Sequence, residues 1–254
     1  MANLWIGTVS PAELLALTQI GVEPAGQVYG VSVQAVSIGS FPATTSEVTG
    51  ERDAFDVMLS ECLFLMNSQA DQMGANGVLS CNISYGVDFE LMDTGYLKFT
   101  MQITGTGVKD RDSICNHRYF ATVSPCELIA MRKVGYEPSG LAVGNCTYHQ
   151  VAWRQQPAKG PYGTWANQEI AELTQGPYTA REIAMSRMVA MARESGGTGI
   201  VGVKFESTVS PRGSLMSGTM TALCRMFLYG TSIRRNPACT SRVSVTATVP
   251  IGQD

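Results

Sequence analysis

Soft-metal chemistry is the first chemistry this sequence offers. Its two histidines each stand close to a cysteine, as Cys115-Asn-His117 and Cys146-Thr-Tyr-His149. Thiolate with imidazole is a donor set for zinc or copper. A soft divalent or monovalent metal ion would therefore draw on Cys115, His117, Cys146 and His149. Two residues apart, Cys115 and His117 would share one face of an extended strand; three apart, Cys146 and His149 would face opposite ways. The ordinary reading of the same residues is two histidines and two buried thiols. The first half of the chain has no histidine, so the site is not duplicated.

Other chemistries find less support. Gly197-Thr-Gly199-Ile-Val-Gly202 spells the glycine pattern of dinucleotide folds, but it leaves a helical pattern and opens a strand. Pyrophosphate binding needs the reverse order, with the glycines leading into a helix N-terminus. No G-x-S-x-G occurs, and neither histidine sits in a recognisable nucleophile arrangement. Asp88, Glu90 and Asp93 read as solvated loop charge rather than an acid/base pair. A non-enzymatic protein without an organic cofactor is expected. The thirteen methionines fall at core spacing, which favours packing over an adaptable binding groove.

These residues must be held by something, and composition bounds what. In 254 residues, 44% are hydrophobic and 15% charged, with net charge -3. The apolar fraction excludes disorder, and the absence of a basic excess argues against nucleic acid as partner. The longest apolar run, Met220 to Tyr229, is short and broken by Arg225, so no transmembrane segment is expected. Met-Ala-Asn-Leu-Trp has no signal-peptide pattern. Seven widely spaced cysteines without a C-x-x-C pair fit reduced core thiols and a cytoplasmic location. The glycosylation-like tripeptides at Asn82 and Asn145 are then chance matches. An ordinary domain is about 25% charged. The shortfall reflects either a Ser/Thr/Gly-rich surface or surface buried between subunits.

The chain repeats itself. Thr8-Val-Ser-Pro-Ala-Glu-Leu-Leu-Ala returns as Thr122-Val-Ser-Pro-Cys-Glu-Leu-Ile-Ala, and Gly21-Val-Glu-Pro-Ala-Gly as Gly135-Tyr-Glu-Pro-Ser-Gly. Gly74-Ala-Asn-Gly-Val-Leu pairs with Gly196-Gly-Thr-Gly-Ile-Val, and Gly105-Thr-Gly-Val with Gly230-Thr-Ser-Ile. Three matched blocks in one order mark a tandem duplication with a seam near Lys109 to Ser113. Ser10-Pro-Ala-Glu13 and Ser124-Pro-Cys-Glu127 are capping boxes with proline at the first helical position. Leu14, Leu15 and Leu17 give the first helix its apolar face, and Gly21 ends it. A third Thr-Val-Ser-Pro, at Thr208 to Pro211, precedes Arg-Gly-Ser and starts no helix.

Short extended runs precede each box, Leu4 to Thr8 and Arg118 to Val123, and alternating strands follow it, Gln27 to Ile38 and Leu141 to Val151. A long helix comes next. Phe55, Met58, Leu59, Cys62, Leu63, Met66, Ala70 and Met73 carry its three-to-four spacing in one half; Ile183, Ala184, Met185, Met188, Met191 and Ala192 do so in the other. Strands at Val78 to Tyr85 and Ile200 to Phe205, then Leu97 to Val108 and Thr221 to Ile233, complete each half. Along the last strand of the first half, Phe99, Met101 and Ile103 face the helix, while Lys98, Thr100, Gln102 and Thr104 form a polar face suited to lining a channel. In the second half Cys224, Met226 and Leu228 face the helix, and the other side reads Leu223, Arg225, Phe227 and Tyr229. Such a face cannot stay wet. It is expected to meet another subunit or the sister unit, and capping from within the chain would remove it as an argument for association. The tail from Arg242 to Val249 alternates too, and either adds to a neighbour's sheet edge or floats free.

Arg181-Glu-Ile-Ala-Met-Ser-Arg-Met-Val-Ala-Met-Ala-Arg-Glu-Ser-Gly-Gly-Thr-Gly-Ile-Val, with Tyr229-Gly-Thr-Ser-Ile after it, resembles the YbjQ family. The first half keeps the Gly74-Ala-Asn-Gly-Val78 turn and the Gly-Thr-x-Val ending but has Leu59 where the family has arginine. Gly26/Gly30 and Gly140/Gly144 match the family's glycine-spaced strand start. The resemblance implies an α+β fold of two tandem β/α sandwich units, residues 1–111 and 112–235, with an extended tail at 236–254. Each unit would be an antiparallel or mixed sheet covered by helices on one face, assembling as a ring. Single-unit relatives imply pentamers, so the expected partner is the chain itself, as a homo-oligomer of five chains in one ring or two stacked rings. The implied function is a structural or scaffold ring; the family's heavy-metal label supplies the alternative, a metal-ion-binding protein.

Overall fold

A computed structural model of the chain describes residues 9–37, 44–88, 96–113, 117–153, 171–213 and 219–236. The extended run Leu4 to Thr8, the loop acids Glu90 and Asp93, Cys115 and the tail Arg242 to Val249 lie outside the described residues. The elements run α1 (Pro11–Gln19), β1 (Val22–Ser37), β2 (Ser46–Glu47), α2 (Thr49–Met73), β3 (Gly77–Asp88), β4 (Tyr96–Asp110) and β5 (Tyr119–Phe120). They continue as α3 (Pro125–Lys133), β6 (Tyr136–Trp153), α4 (Ala171–Glu194), β7 (Gly199–Gly213) and β8 (Thr219–Arg235).

Both short helices start as their sequence dictates. Glu13 N–H donates to Ser10 Oγ at 3.3 Å, and Ser10 N–H returns to Glu13 Oε2 at 2.9 Å. In the second half Glu127 N–H and Ser124 N–H close the same ring at 3.3 and 2.7 Å. Of α1's expected apolar face, Leu17 is fully buried but Leu15 is exposed. With nine residues, the helix turns one narrow edge to the core.

Two four-stranded sheets result, ordered β1-β4-β3-β5 and β2-β6-β8-β7. All pairings are antiparallel except β3 with β5, so the fold is α+β with one mixed and one antiparallel sheet. The sheets share their irregularities. Bulges at Pro24/Gly26 and Leu79/Asn82 recur at Pro138/Gly140 and Val201/Lys204. Thr208 to Pro211 lies inside β7, as its missing cap requires.

α2 lies over β1 and β4, and α4 over β6 and β8. Each is drawn against its sheet through a glycine. A Cβ on Gly30 would stand 2.3 Å from the Cys62 carbonyl oxygen, and one on Gly144 2.0 Å from that of Ala184. Phe99, Met101 and Ile103 are fully buried beneath α2, each worth roughly 1.5–3 kcal/mol in buried apolar surface. The helix over the second sheet begins at Ala171, well before the periodicity at Ile183, and carries Pro177 within it. Gly176, beside that proline, packs where a Cβ would meet Cys224 Sγ at 2.9 Å. The first two turns, which carry Gly176 and Pro177, show no apolar period, which hid them from the sequence.

The two halves interlock. β5, from the second half, pairs with β3 of the first, and β2, from the first, pairs with β6 of the second. Leu17, Leu79, Tyr119, Ala121 and Leu128 form one core cluster drawn from both. The Phe227 face meets this sister half rather than needing a second chain: Leu141, Val143, Phe227 and Tyr229 join the α2 core, with Phe227 4% exposed. That face therefore supplies no argument for association between chains.

Candidate functional site

The residues singled out for metal binding are not gathered. His117 Nε2 lies 3.2 Å from the Ser139 carbonyl oxygen, near the start of β6. Cys146 stands seven residues further along that strand, roughly 23 Å at the usual rise. It is buried with Ala184, Met188 and Met226 beneath α4. His149 is buried on the opposite face, where β6 pairs with Ser46 of β2. Among the described residues no three His, Cys, Asp or Glu side chains come together to hold an ion. The thiols are also poor ligands as they stand. Burial pushes Cys146 up to about 12, with the Glu47 carboxylate adding to the shift, and Cys81 up to about 12. Metal binding needs the thiolate, which these sites suppress.

What the fold does build is a polar and aromatic seam between the halves. Glu51, in the first turn of α2, accepts from Arg225 Nε at 2.9 Å and Nη2 at 2.7 Å, and from Thr147 Oγ1 at 2.7 Å. Both side chains of the ion pair are almost fully buried, at 10% and 3% exposure. The Glu51 carboxylate, whose charge suits the N-terminal end of α2, thus takes its donors from across the seam. The N-cap, Val48, has no capping side chain, and its N–H donates to the Thr147 carbonyl at 2.8 Å. Beside the ion pair, Phe227 rings contact Phe55 edge-on at 5.6 Å, Tyr85 at 5.8 Å and Tyr229 at 5.2 Å. Burial pushes the Tyr85 phenol well up; the nearby Glu51 charge adds to this and Arg225 opposes it. Lys204 stands over the Tyr229 ring at 5.4 Å and donates to Asn82 Oδ1, which also accepts from the Tyr229 hydroxyl. A small cleft of about 150 Å³, lined by Tyr85, Asn145, Thr147, Glu206, Arg225 and Phe227, opens here.

Three further arginines tie the halves; Arg187 of α4 forks onto the Glu47 carboxylate of β2 at 2.5 and 2.8 Å. Arg118 donates to the Ala75 and Asn67 carbonyls and to Asp71, closing the C-terminal end of α2 where free carbonyls favour a cation. Arg132 of α3 pairs with the buried Asp110 at the end of β4, which also accepts from the Tyr119 hydroxyl at 2.8 Å and from Asp112 N–H at 3.3 Å. None of these pairings has a sequence signal, because the partners are 20 to 170 residues apart. Only Arg225 was visible, as the one charge on an otherwise apolar strand face. The chemistry of the seam is adhesion: paired charge and stacked rings.

The YbjQ family pattern, described as "Putative heavy-metal-binding", matches residues 164–235. A "UPF0145 protein" of Pseudothermotoga lettingae is 31% identical over 98 residues, covering 39% of this chain and 82% of its own length. The chain belongs to the YbjQ-like family. A second relative is an "Encapsulin nanocompartment protein" of Mycobacterium tuberculosis, 27% identical over 209 residues, 76% of this chain and 74% of that one. This longer match crosses both halves of the YbjQ-like chain, whereas the bacterial single-length relative fits about one. No solved structure matches significantly. Among the described residues no helix is long and apolar enough to cross a membrane.

Proposed function

We propose that this YbjQ-like chain is a non-enzymatic, self-assembling structural protein, a homo-oligomeric scaffold ring of five chains in the cytoplasm. Its units are residues 1–111 and 112–235, with 236–254 as a tail. The observation that supports the reading is apolar surface the chain leaves uncovered: Tyr29, Val31 and Val33 on β1, and Val203, Phe205 and Val209 on β7, are exposed on sheet faces. Apolar stripes of this kind mark contact surfaces. The encapsulin name of the M. tuberculosis relative points to the same class of role, and low charge fits surface lost between subunits. Native mass spectrometry of tag-free protein tests it. Five chains of 27.2 kDa give about 136 kDa. A species of 27.2 kDa at every concentration removes the reading.

The family description favours one second reading, a protein that binds a soft metal ion through Cys115, His117, Cys146 and His149. Binding there requires β6 to release Cys146 from beneath α4. Elemental analysis after purification without a tag separates the two: metal well below one ion per chain sinks this second reading.

A further inference from the structure

The seam between the halves has a direction. One half offers the helix-side face of β3, where Cys81, Ile83, Tyr85 and Val87 line the edge of the α2 core and Tyr85 meets Phe55 edge-on at 5.1 Å. The other half covers that face with the side of its sheet turned away from its own helix: Leu141, Val143, Phe227 and Tyr229. Two different surfaces meet, so the contact is heterologous. Because the halves correspond residue by residue, each possesses both surfaces. The chain consumes one of each and leaves one of each open.

The open surfaces can be named from the matched registers. Ile83 stands opposite Ile103 in β4, and Phe205 opposite Leu228 in β8; each pair faces the helix. Val203, Phe205, Ser207 and Val209 of β7 thus occupy the positions of Cys81, Ile83, Tyr85 and Val87. α4 does not cover them, and Val203, Phe205 and Val209 are 50, 52 and 49% exposed. The α4 flank beside them is open as well. Met185 is 43% exposed where its counterpart Leu63 packs against the seam. At the other end of the chain, Tyr29, Val31 and Val33 are 55, 43 and 52% exposed, in the positions that Val143, Asn145 and Thr147 hold buried in the second half. Each end therefore presents an apolar stripe on a sheet face, and each stripe is the counterpart of one half of a contact the chain already makes.

We propose that a second copy of this chain docks on these stripes head to tail. The β1/β4 face of one copy, led by Tyr29, Val31 and Val33, covers the β7 face and α4 flank of the next, repeating the internal seam. The proposal deepens the self-assembly reading and rests on it. The joint between copies is more polar than the seam. Thr100, Gln102 and Thr104 replace Arg225, Phe227 and Tyr229, and the place of Glu51 is taken by Leu173, so the buried ion pair is not repeated. A polar joint between chains and an apolar seam within one divide the work as separable and permanent interfaces do. The polar strand face is thereby assigned to a contact rather than a channel.

The test uses Val31→Glu and Phe205→Glu, one at each open stripe, with Phe64→Glu, on a 72% exposed residue of α2, as control. Wild type and control assemble; each stripe variant alone stays at 27.2 kDa. Mixed in equal amounts, the two variants pair once through their intact ends and stop at about 54 kDa, twice the chain mass, because a heterologous contact needs one good surface from each partner. As a measurement independent of those variants, Gln102→Cys with Ser207→Cys in one chain places thiols at the counterparts of Phe227 and Tyr85. In a Cys126→Ser background, since that native thiol is exposed, a short bismaleimide then yields a ladder of covalent oligomers that neither single substitution gives. Stripe variants that assemble like wild type overturn the docking surfaces while leaving self-assembly standing. A mixture that does not pair, together with no ladder, overturns them too. Wild type that is itself 27.2 kDa throughout overturns both.

Discussion

Arg225→Met should be among the most damaging single substitutions in the protein, and a second substitution should repair it. Arg225 makes two of the three hydrogen bonds that Glu51 receives, in a site where the carboxylate side chain is 3% exposed. Taking the guanidinium away leaves a buried carboxylate with only the Thr147 hydroxyl. Breaking one partner of a buried pair costs about 3–5 kcal/mol. For a chain of this length 1 kcal/mol moves Tm by about 2–4 °C, so the loss is about 6–20 °C. Glu51→Leu combined with Arg225→Met removes both charges, and apolar replacement of a buried pair is often neutral or better. Glu51→Leu alone strands the guanidinium and costs about 3–5 kcal/mol as well, while the double variant should return to within about 2 kcal/mol of wild type, so the coupling between the sites is at least about 4 kcal/mol. Urea and thermal unfolding at one protein concentration measure the cycle, with an unchanged m showing that the unfolded state is the same. The exposed pair Arg111–Glu23, at 74% and 54% exposure, is the comparator; Arg111→Met should change stability by less than about 1 kcal/mol. A cycle in which Arg225→Met costs under 1 kcal/mol, or in which the two substitutions simply add, refutes the claim that this pair fastens the halves.

Gly30→Ala and Gly144→Ala should each prise a long helix off its sheet, because the new methyl would overlap a backbone carbonyl that cannot swing aside. Losses of at least about 3 kcal/mol, the upper end for overpacking, are expected in urea midpoints, and near-neutral values would contradict the close approach. Ser80 holds a φ of +55°, and the matching position in the other half is Gly202 at +61°. Ser80→Gly should stabilise, and Gly202→Ser destabilise, by up to about 1–2 kcal/mol each in thermal unfolding; the opposite signs would refute the equivalence. Stability should also fall on the alkaline side. The thiols of Cys81 and Cys146 rise from 9.0 to about 12 on folding, so folding favours their protonated form. That contribution is complete below pH 9 and is lost as pH climbs from about 9 to about 12. Tm scans over that range should decline, and Cys81→Ala should flatten part of the slope; an unchanged slope would count against it.

How much of this was legible depends on how far apart the deciding atoms lie in sequence. The capping boxes at Ser10 and Ser124 could be read because cap and acceptor are three residues apart. The alternation of Phe99, Met101 and Ile103 could be read because strand geometry fixes it. The start of α2 could not. Val48 carries no capping side chain, and the helix begins there because Ser46 and Glu47 pair with β6, a hundred residues away. The identity of the group covering Phe227 was undecidable for the same reason: an apolar strand face announces that it is covered, not by what. Of the metal candidates, the strand period correctly set Cys146 and His149 on opposite faces. The distance of His117 from both depends on where β6 starts, which spacing alone did not supply.

Duplication explains why the two outer sheet faces came to differ. In an assembly of identical single units every contact is the same, so a face can become apolar only if it does so everywhere. In the proposed assembly, once two units share a chain, one contact in each pair is permanent and the other joins separate molecules. The permanent one is free to gain Phe227, Tyr229 and a buried Arg225–Glu51 pair, since it forms once, during folding, and never has to stay wet. The other must remain soluble while chains are free, and there the corresponding positions hold Gln102, Thr104 and Thr100, leaving only the β1 stripe of Tyr29, Val31 and Val33 to carry apolar contact. On the proposed docking, the asymmetry between Phe227 and Gln102 is the imprint of one contact made inside a molecule and one made between molecules.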